Sequence, residues 1–428
     1  MVGALHRLKS NTSGSSGERR LFLQSASVAA TRVALIAAAF VSSIVLARAL
    51  TVDERGRFGL LMATAGLGIQ FGNFGLPSAN TYLIARDRET LKGVVGNTGM
   101  FFFAAAIFLA IAGLSAFKFI PAWESLKGGA GVAAILVAVT GLAVLLAQSL
   151  LTGVFRFGAS NGVDAIARGG AISGMLLLWY FGGRTATWFG CAMALSAAVA
   201  AVWGLKIGAI PLTLEAGSAD LAKEQMRIGM RAYLTCVASF ALGRLPIYVI
   251  ESRAGLTGLA FLSQAQGIID AILVLPSALG TVLFPTLAAN HDSRVRIRYT
   301  YRIGLVVLVL MCVAALAATW SSPYVLPILY GKAYSGSVPY LNAMLPGVVA
   351  LGVCSVVQNA LSANGYPWAA AAAPIAGIGA SSIALFLDRS AVGCGRAYSV
   401  GCIVMLIAST IGWWVHRHYT KTIENTSG

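Results

Sequence analysis

Charge is scarce in this chain. Only 11% of its 428 residues are Asp, Glu, Lys or Arg, against 57% hydrophobic ones, and the mean hydropathy is +0.78. A soluble globular domain carries about a quarter of its residues charged, so a soluble fold is excluded. Acid is scarcer still: 15 acidic residues face 31 basic ones, a net charge of +16. The basic residues are scattered over short connections and form no stripe, which argues against a nucleic-acid partner. Four histidines, His6, His291, His416 and His418, lie in tails or connections. The six cysteines, Cys191, Cys236, Cys312, Cys354, Cys394 and Cys402, lack metal-type pairing and read as packing residues, so no metal site is expected. No Ser/His/Asp, Cys/His or paired-carboxylate arrangement is visible, and no connection is long enough to fold as a domain. Both absences speak against a membrane-embedded enzyme.

Long apolar stretches dominate instead. Crossing roughly 30 Å of hydrocarbon takes about 20 helical residues. About twelve such spans can be placed, at 21–48, 58–85, 93–118, 130–155, 162–182, 185–208, 227–250, 256–286, 298–321, 336–363, 366–387 and 396–416. They are too long for barrel strands, which alternate over about ten residues. The expected fold is an all-α integral membrane bundle. The first apolar run is too long for a cleavable signal. With the N-terminus cytoplasmic, 19 Lys and Arg fall on that side and 10 on the other, with Arg32 and Arg244 inside spans. Both termini are therefore predicted to be cytoplasmic. Residues 1–20 read as a disordered tail. The polar stretch Ile210 to Glu224 divides the spans six and six: lobe 21–208, cytoplasmic linker 209–226, lobe 227–416 and tail 417–428. An even number of spans returns the chain to its starting side, so the lobes have parallel topology.

The two halves share a pattern. Gly59-Leu60 leads to Leu76-Pro77-Ser78-Ala79, and 199 residues later Gly258-Leu259 leads without a gap to Leu275-Pro276-Ser277-Ala278. Eight of 26 positions agree, where about two are expected by chance. Pro77 and Pro276 each remove a helix hydrogen bond at equivalent points, as paired hinges or as structural kinks. Gly68 with Gly72, and Gly170 with Gly174, have the spacing that lets helix backbones approach.

Ionisable residues inside apolar spans are costly unless they face a cavity or a partner. Arg32, Arg244 and Asp270 meet that description, as cavity-facing groups or as pairs between helices. Asp164 and Arg168, spaced i, i+4, read as a local ion pair. Gln70, Asn73, Asn80 and Tyr82 in the second span, Gln264 and Gln266 in the eighth, and Gln358 and Asn359 in the tenth offer donors and acceptors suited to sugar hydroxyls. Interhelical hydrogen bonding is the alternative for each.

The chain resembles a known family. Leu46-Ala47-Arg48-Ala49-Leu50, Gly56, Phe58-Gly59 and Asn73-Phe74-Gly75-Leu76-Pro77-Ser78-Ala79 look like the start of the polysaccharide flippases called Wzx. Gly258-Leu259-Ala260-Phe261, Leu283-Phe284-Pro285-Thr286-Leu287-Ala288, Ile328-Leu329-Tyr330-Gly331-Lys332-Ala333-Tyr334 and Asn364-Gly365 continue the likeness over about residues 20–415. The resemblance implies a MATE-like V-shaped pair of six-helix lobes in a bacterial inner membrane. It also implies outward movement of undecaprenyl-diphosphate-linked oligosaccharides for O-antigen, capsule or exopolysaccharide assembly. A polymerase and a chain-length regulator would be partners beside the bilayer, with proton or ion coupling and no cofactor. Related lipid II flippases keep an arginine in the first helix, where Arg32 stands. Many relatives carry an acid two positions after the seventh-helix arginine, whereas Arg244 is followed by Leu245 and Pro246; Asp270 is the nearest substitute. The expected roles are diphosphate contacts for Arg32 and Arg244, coupling for Asp270, and sugar-facing positions for Gln70, Asn73, Asn80, Tyr82, Gln266, Gln358 and Asn359. A MATE-type drug exporter, which usually needs acidic cavity residues, and a membrane polymerase are the alternatives.

Overall fold

The computed structural model describes residues 40–119, 121–211, 217–274, 276, 293–363 and 368–426, and among them every regular element is helical. The helices are α1 Phe40–Ala49, α2 Val52–Asn73, α3 Leu76–Arg86, α4 Leu91–Phe119, α5 Gly129–Gly153, α6 Phe157–Tyr180 and α7 Ala186–Ile207, followed by α8 Ala219–Ile272, α9 Ser293–Tyr330, α10 Val338–Ala363, α11 Trp368–Leu387 and α12 Gly393–Thr426. Local sequence sets the starts. Thr51 caps α2 by accepting from the Glu54 amide, with Asp53 and Glu54 at the positive end of the helix dipole. Ser218 caps α8 in the same way, through the Leu221 amide.

Eight helical stretches among the described residues are long and apolar enough to cross a membrane. The twelve expected spans map onto them with physical reasons for the difference. Of the first, residues 40–48 alone are among the described residues. The second is divided between α2 and α3. The fifth is diluted by Asp164, Arg168 and its glycines, and those two charges pair at 3.7 Å. The seventh and eighth merge in α8, whose only internal break is Gly255, at φ 62° and ψ −165°. Large apolar side chains such as Ile107, Phe108, Ile111, Leu305, Val313 and Leu316 are exposed, as lipid-facing residues are. Cys354, Cys394 and Cys402 are packed in the interior, whereas Cys236 and Cys312 lie on exposed faces.

Packing repeats between the halves. In the first, α5 packs on α4 and α7, and α6 on α7; in the second, α10 packs on α9 and α12, and α11 on α12. The counterparts α4 and α9 are peripheral, with 11% and 17% of their most apolar stretch buried, and α5 and α10 are central, with 50% and 56%. The 199-residue offset is also visible in the backbone. Helix α2 ends at Asn73 and α8 at Ile272, and Gly56 corresponds to the break at Gly255. The bend before Leu76-Pro77 lies at Phe74 and Gly75, both left-handed (φ 44° and 75°), and Pro77 sits in the first turn of α3. Pro77 therefore opens a helix where its missing amide hydrogen has no partner to lose. Of the second tetrapeptide, Pro276 alone is among the described residues, and it is buried.

The halves meet chiefly through α8, which packs on α2, α3 and α4. Glycine permits the contact. A Cβ on Gly56 would stand 2.1 Å from the Leu256 carbonyl oxygen, one on Gly59 2.3 Å from Ser263 Oγ, and one on Gly75 2.1 Å from the Gly229 carbonyl oxygen. Gly68 and Gly72 accept Ala138, Leu109 and Leu142, and Gly170 and Gly174 face Ser196 and Ala192, so both small-residue pairs are packing surfaces.

Candidate functional site at the seam of the two halves

Gly255 folds α8 into two arms, and each arm brings one charge to the interior. Arg244 lies 11 residues before the break and Asp270 15 after it, roughly 17 Å and 22 Å along their arms at 1.5 Å per residue. Arg244 thus lies inside the first arm and Asp270 in the last turn of the second, and Asp270 feels the charge of Arg244. No ion pair within 4 Å joins them. The ion pairs recorded among the described residues are Arg57 with Glu54, Arg86 with Glu224, Lys127 with Glu124, Arg168 with Asp164 and Arg396 with Asp388.

Asp270 is accessible to solvent yet enclosed by protein, the combination expected of a group on a cavity wall. The Nε2 of Gln266 donates to its Oδ1 at 3.2 Å. Arg244 places its guanidinium over the ring of Phe240, 5.6 Å from the centroid. That ring packs on Gly66 of α2, where a Cβ would come within 2.7 Å. Buried Tyr398 of α12 feels both Arg244 and Asp270, and Tyr248 of α8 feels Arg244. The site thus joins α2, both arms of α8 and α12. It can hold an anion on Arg244 and exchange that contact against a carboxylate.

Other expected site residues fall elsewhere. Arg32 lies outside the described residues. Asn80 does not face a cavity: it is fully buried, donates to Ser149 Oγ at 3.1 Å and accepts from Thr98 and Gln225. Asn73 closes the end of α2, donating to the Ile69 carbonyl and to Gln70 Oε1 and accepting from the Gly75 amide. Gln358 bridges α10 to Ser409 of α12 at 2.9 Å, and Asn359 bonds back to the Ser355 carbonyl. In Asn80 and Asn73 both ends of the amide are engaged by interhelical or capping bonds, whereas Gln358 and Asn359 donate through their amide nitrogens, Asn359 within its own helix. Tyr82 is half exposed on α3. Sequence reasoning passed over Tyr398 and Arg55. Arg55 falls in a predicted connection yet is 6% exposed. The Thr51-to-Glu54 capping pattern would have moved the helix start to Val52 and put Arg55 in its first turn.

Hydrogen bonds between the halves cluster at the two ends. At the end rich in basic residues, Gln225 of α8 holds Asn97 and Asn80, and Arg86 meets Glu224. At the opposite, mixed-charge end, Arg48 donates to the Ile328 and Leu329 carbonyls. There Thr257 donates to Asp53 at 2.9 Å, Gln264 to Ser43 at 3.1 Å and Ser125 to Glu251.

Known proteins share this arrangement. An inward-facing MATE family multidrug resistance transporter of the MOP superfamily superposes with a TM-score of 0.77 at 16% identity, over 92% of this chain and 96% of that one. The lipid II flippase MurJ in an inward closed conformation gives 0.72 at 14% identity, over 90% and 86%. An outward-facing MATE transporter gives 0.59 at 12% identity, over 92% and 96%. These likenesses establish a MATE-like fold. Among curated relatives, the EPS I polysaccharide export inner membrane protein EpsE of Ralstonia solanacearum is 26% identical over 405 residues, 89% of this chain and 90% of that protein. The sequence pattern of one family, described as polysaccharide biosynthesis protein, matches residues 45–339, which include α2, α3, Arg244 and Asp270. With that match over more than half its length, on a fold it shares with flippases and exporters, the chain belongs to the polysaccharide biosynthesis protein family.

Proposed function

We propose that this protein is an inner-membrane flippase that moves undecaprenyl-diphosphate-linked oligosaccharide repeat units across the bilayer by alternating access. The observation that carries the reading is the pair Arg244 and Asp270: opposite charges from the two arms of α8, within electrostatic reach but joined by no ion pair, on the element through which the halves chiefly meet. A guanidinium forks onto phosphate oxygens and gains most where water is excluded. Arg244 takes the diphosphate, with Arg32 as its counterpart from the first lobe. Asp270 competes with the diphosphate for Arg244. Neutralising the carboxylate with a proton or cation would free Arg244 for the anion, and this is the proposed route to coupling. The sugars occupy the space between lobes while the lipid stays in the bilayer. The lobes are residues 21–208 and 227–416, both termini are cytoplasmic, and the basic end faces the cytoplasm. A polysaccharide polymerase and a chain-length regulator act after it on the far side. No chemical step is assigned to the chain.

Deleting the gene tests the reading. Surface polysaccharide should be lost and the lipid-linked repeat unit should accumulate. Unchanged surface polysaccharide in a strain with no second flippase would overturn it.

A further inference from the structure

Among the described residues, Arg55 is a buried cation with no anion. Its side chain lies at the mixed-charge end of the seam, Nε has no hydrogen-bond partner, and no ion pair or side-chain hydrogen bond of its guanidinium occurs among the described residues. The acids beside it are committed elsewhere: Asp53 accepts from Thr257, and Glu54 pairs with Arg57 and caps α7 through the Ala186 amide. The neutral phenols of Tyr334 and Tyr330, from the other half, lie within electrostatic reach of it. Its guanidinium also lies 5.8 Å from the Phe58 ring centroid. Nη1 and Ser263 Oγ both approach Gly59, and the hydroxyls of Ser263 and Tyr334 are buried without partners. The guanidinium only donates and the two hydroxyls can donate, which suits a phosphate oxyanion, while the guanidinium charge repels a cation.

We infer that Arg55, Tyr334 and Ser263 form a second oxyanion site across the seam, sealed in this conformation, which takes the diphosphate when the halves part at the mixed-charge end. The inference rests on the flippase reading and adds a step to it. A ligand shifts a conformational equilibrium only through its different affinity for the two states. With Arg55 buried and unpaired, the closed state carries an uncompensated desolvation cost. An entering diphosphate removes that cost only in the open state. The diphosphate would therefore leave Arg244 for Arg55 while driving the seam apart.

The test uses full-length protein in nanodiscs, with undecaprenyl diphosphate and inorganic pyrophosphate as separate probes and undecaprenol as the neutral control. Hydrogen exchange of residues 330–337 reports opening. In the wild type, undecaprenyl diphosphate should speed that exchange and undecaprenol should not; an equal response to pyrophosphate would assign the site to free diphosphate instead of lipid headgroup. Arg55→Met should melt at or above the wild-type temperature without ligand, lose the exchange response, and bind the diphosphate lipid about tenfold more weakly, the loss of one charge-assisted contact. Arg55→Lys should keep much of the response. A full response in Arg55→Met, or melting well below the wild type, would overturn the proposal. So would a wild-type protein that complements a deletion strain but shows no response to either probe, and that outcome leaves the flippase reading standing.

Discussion

Arg244 and Asp270 are the residues on which transport should turn. Arg244→Ala should cut export about tenfold or more, because one charge-assisted phosphate contact is lost. Asp270→Asn should leave membrane abundance intact and abolish dependence on the ion gradient. Complementation of a deletion strain, with and without an uncoupler, reads both. Asn80→Ala should act differently, lowering stability by about 1–3 kcal/mol by stranding Ser149, Thr98 and Gln225, seen as a lower melting temperature in detergent. These contrasts show how far side-chain type alone carries. Arg244 and Asp270 were legible because a charge in an apolar span is costly wherever it points. Asn80 and Gln358 were not, since an amide serves a sugar or a neighbouring helix equally well and only packing decides between them. Arg55 was missed because the apolar run begins at Phe58, which hid the helical turn that precedes it.

Helix α8 carries the communication between the halves. Its break at Gly255, its contact with Gly56 and the left-handed Phe74–Gly75 turn against Gly229 are backbone events, so substitutions there should act through geometry. Gly75→Ala meets both a positive φ and the Gly229 carbonyl, and Gly56→Val meets the Leu256 carbonyl. Each should lower the amount of folded protein in the membrane, measured by size-exclusion fluorescence. Pro77→Ala should leave it unchanged, since the bend precedes the proline. The repeated tetrapeptide therefore pointed to a true equivalence while marking the residue beside the bend instead of the bend. Composition and periodicity revealed the helices. They did not reveal that two spans run on as one element, because the polar interval Glu251-Ser252-Arg253 reads as a connection although the helix continues through it to Gly255.

Across the whole molecule, the end-to-end distribution of contacts sets which side opens. Arg48 on the last carbonyls of α9, Thr257 on Asp53 and Ser125 on Glu251 hold the mixed-charge end shut. In a background with Cys236 and Cys312 replaced by Ser, a short bismaleimide bridge between Asp53→Cys and Thr257→Cys should stop export, and either single variant treated alike should not. The two-lobed plan was legible from span number and charge asymmetry; which end is closed depends on contacts between residues 126 to 281 apart, which no local pattern encodes. The most direct measurement is transfer itself. Purified protein in liposomes, given a fluorescent undecaprenyl-diphosphate oligosaccharide in one leaflet, should expose the glycan at the opposite face, and Arg244→Ala should reduce the rate to near that of protein-free liposomes. Transfer no faster with the wild-type protein than without it would contradict the account.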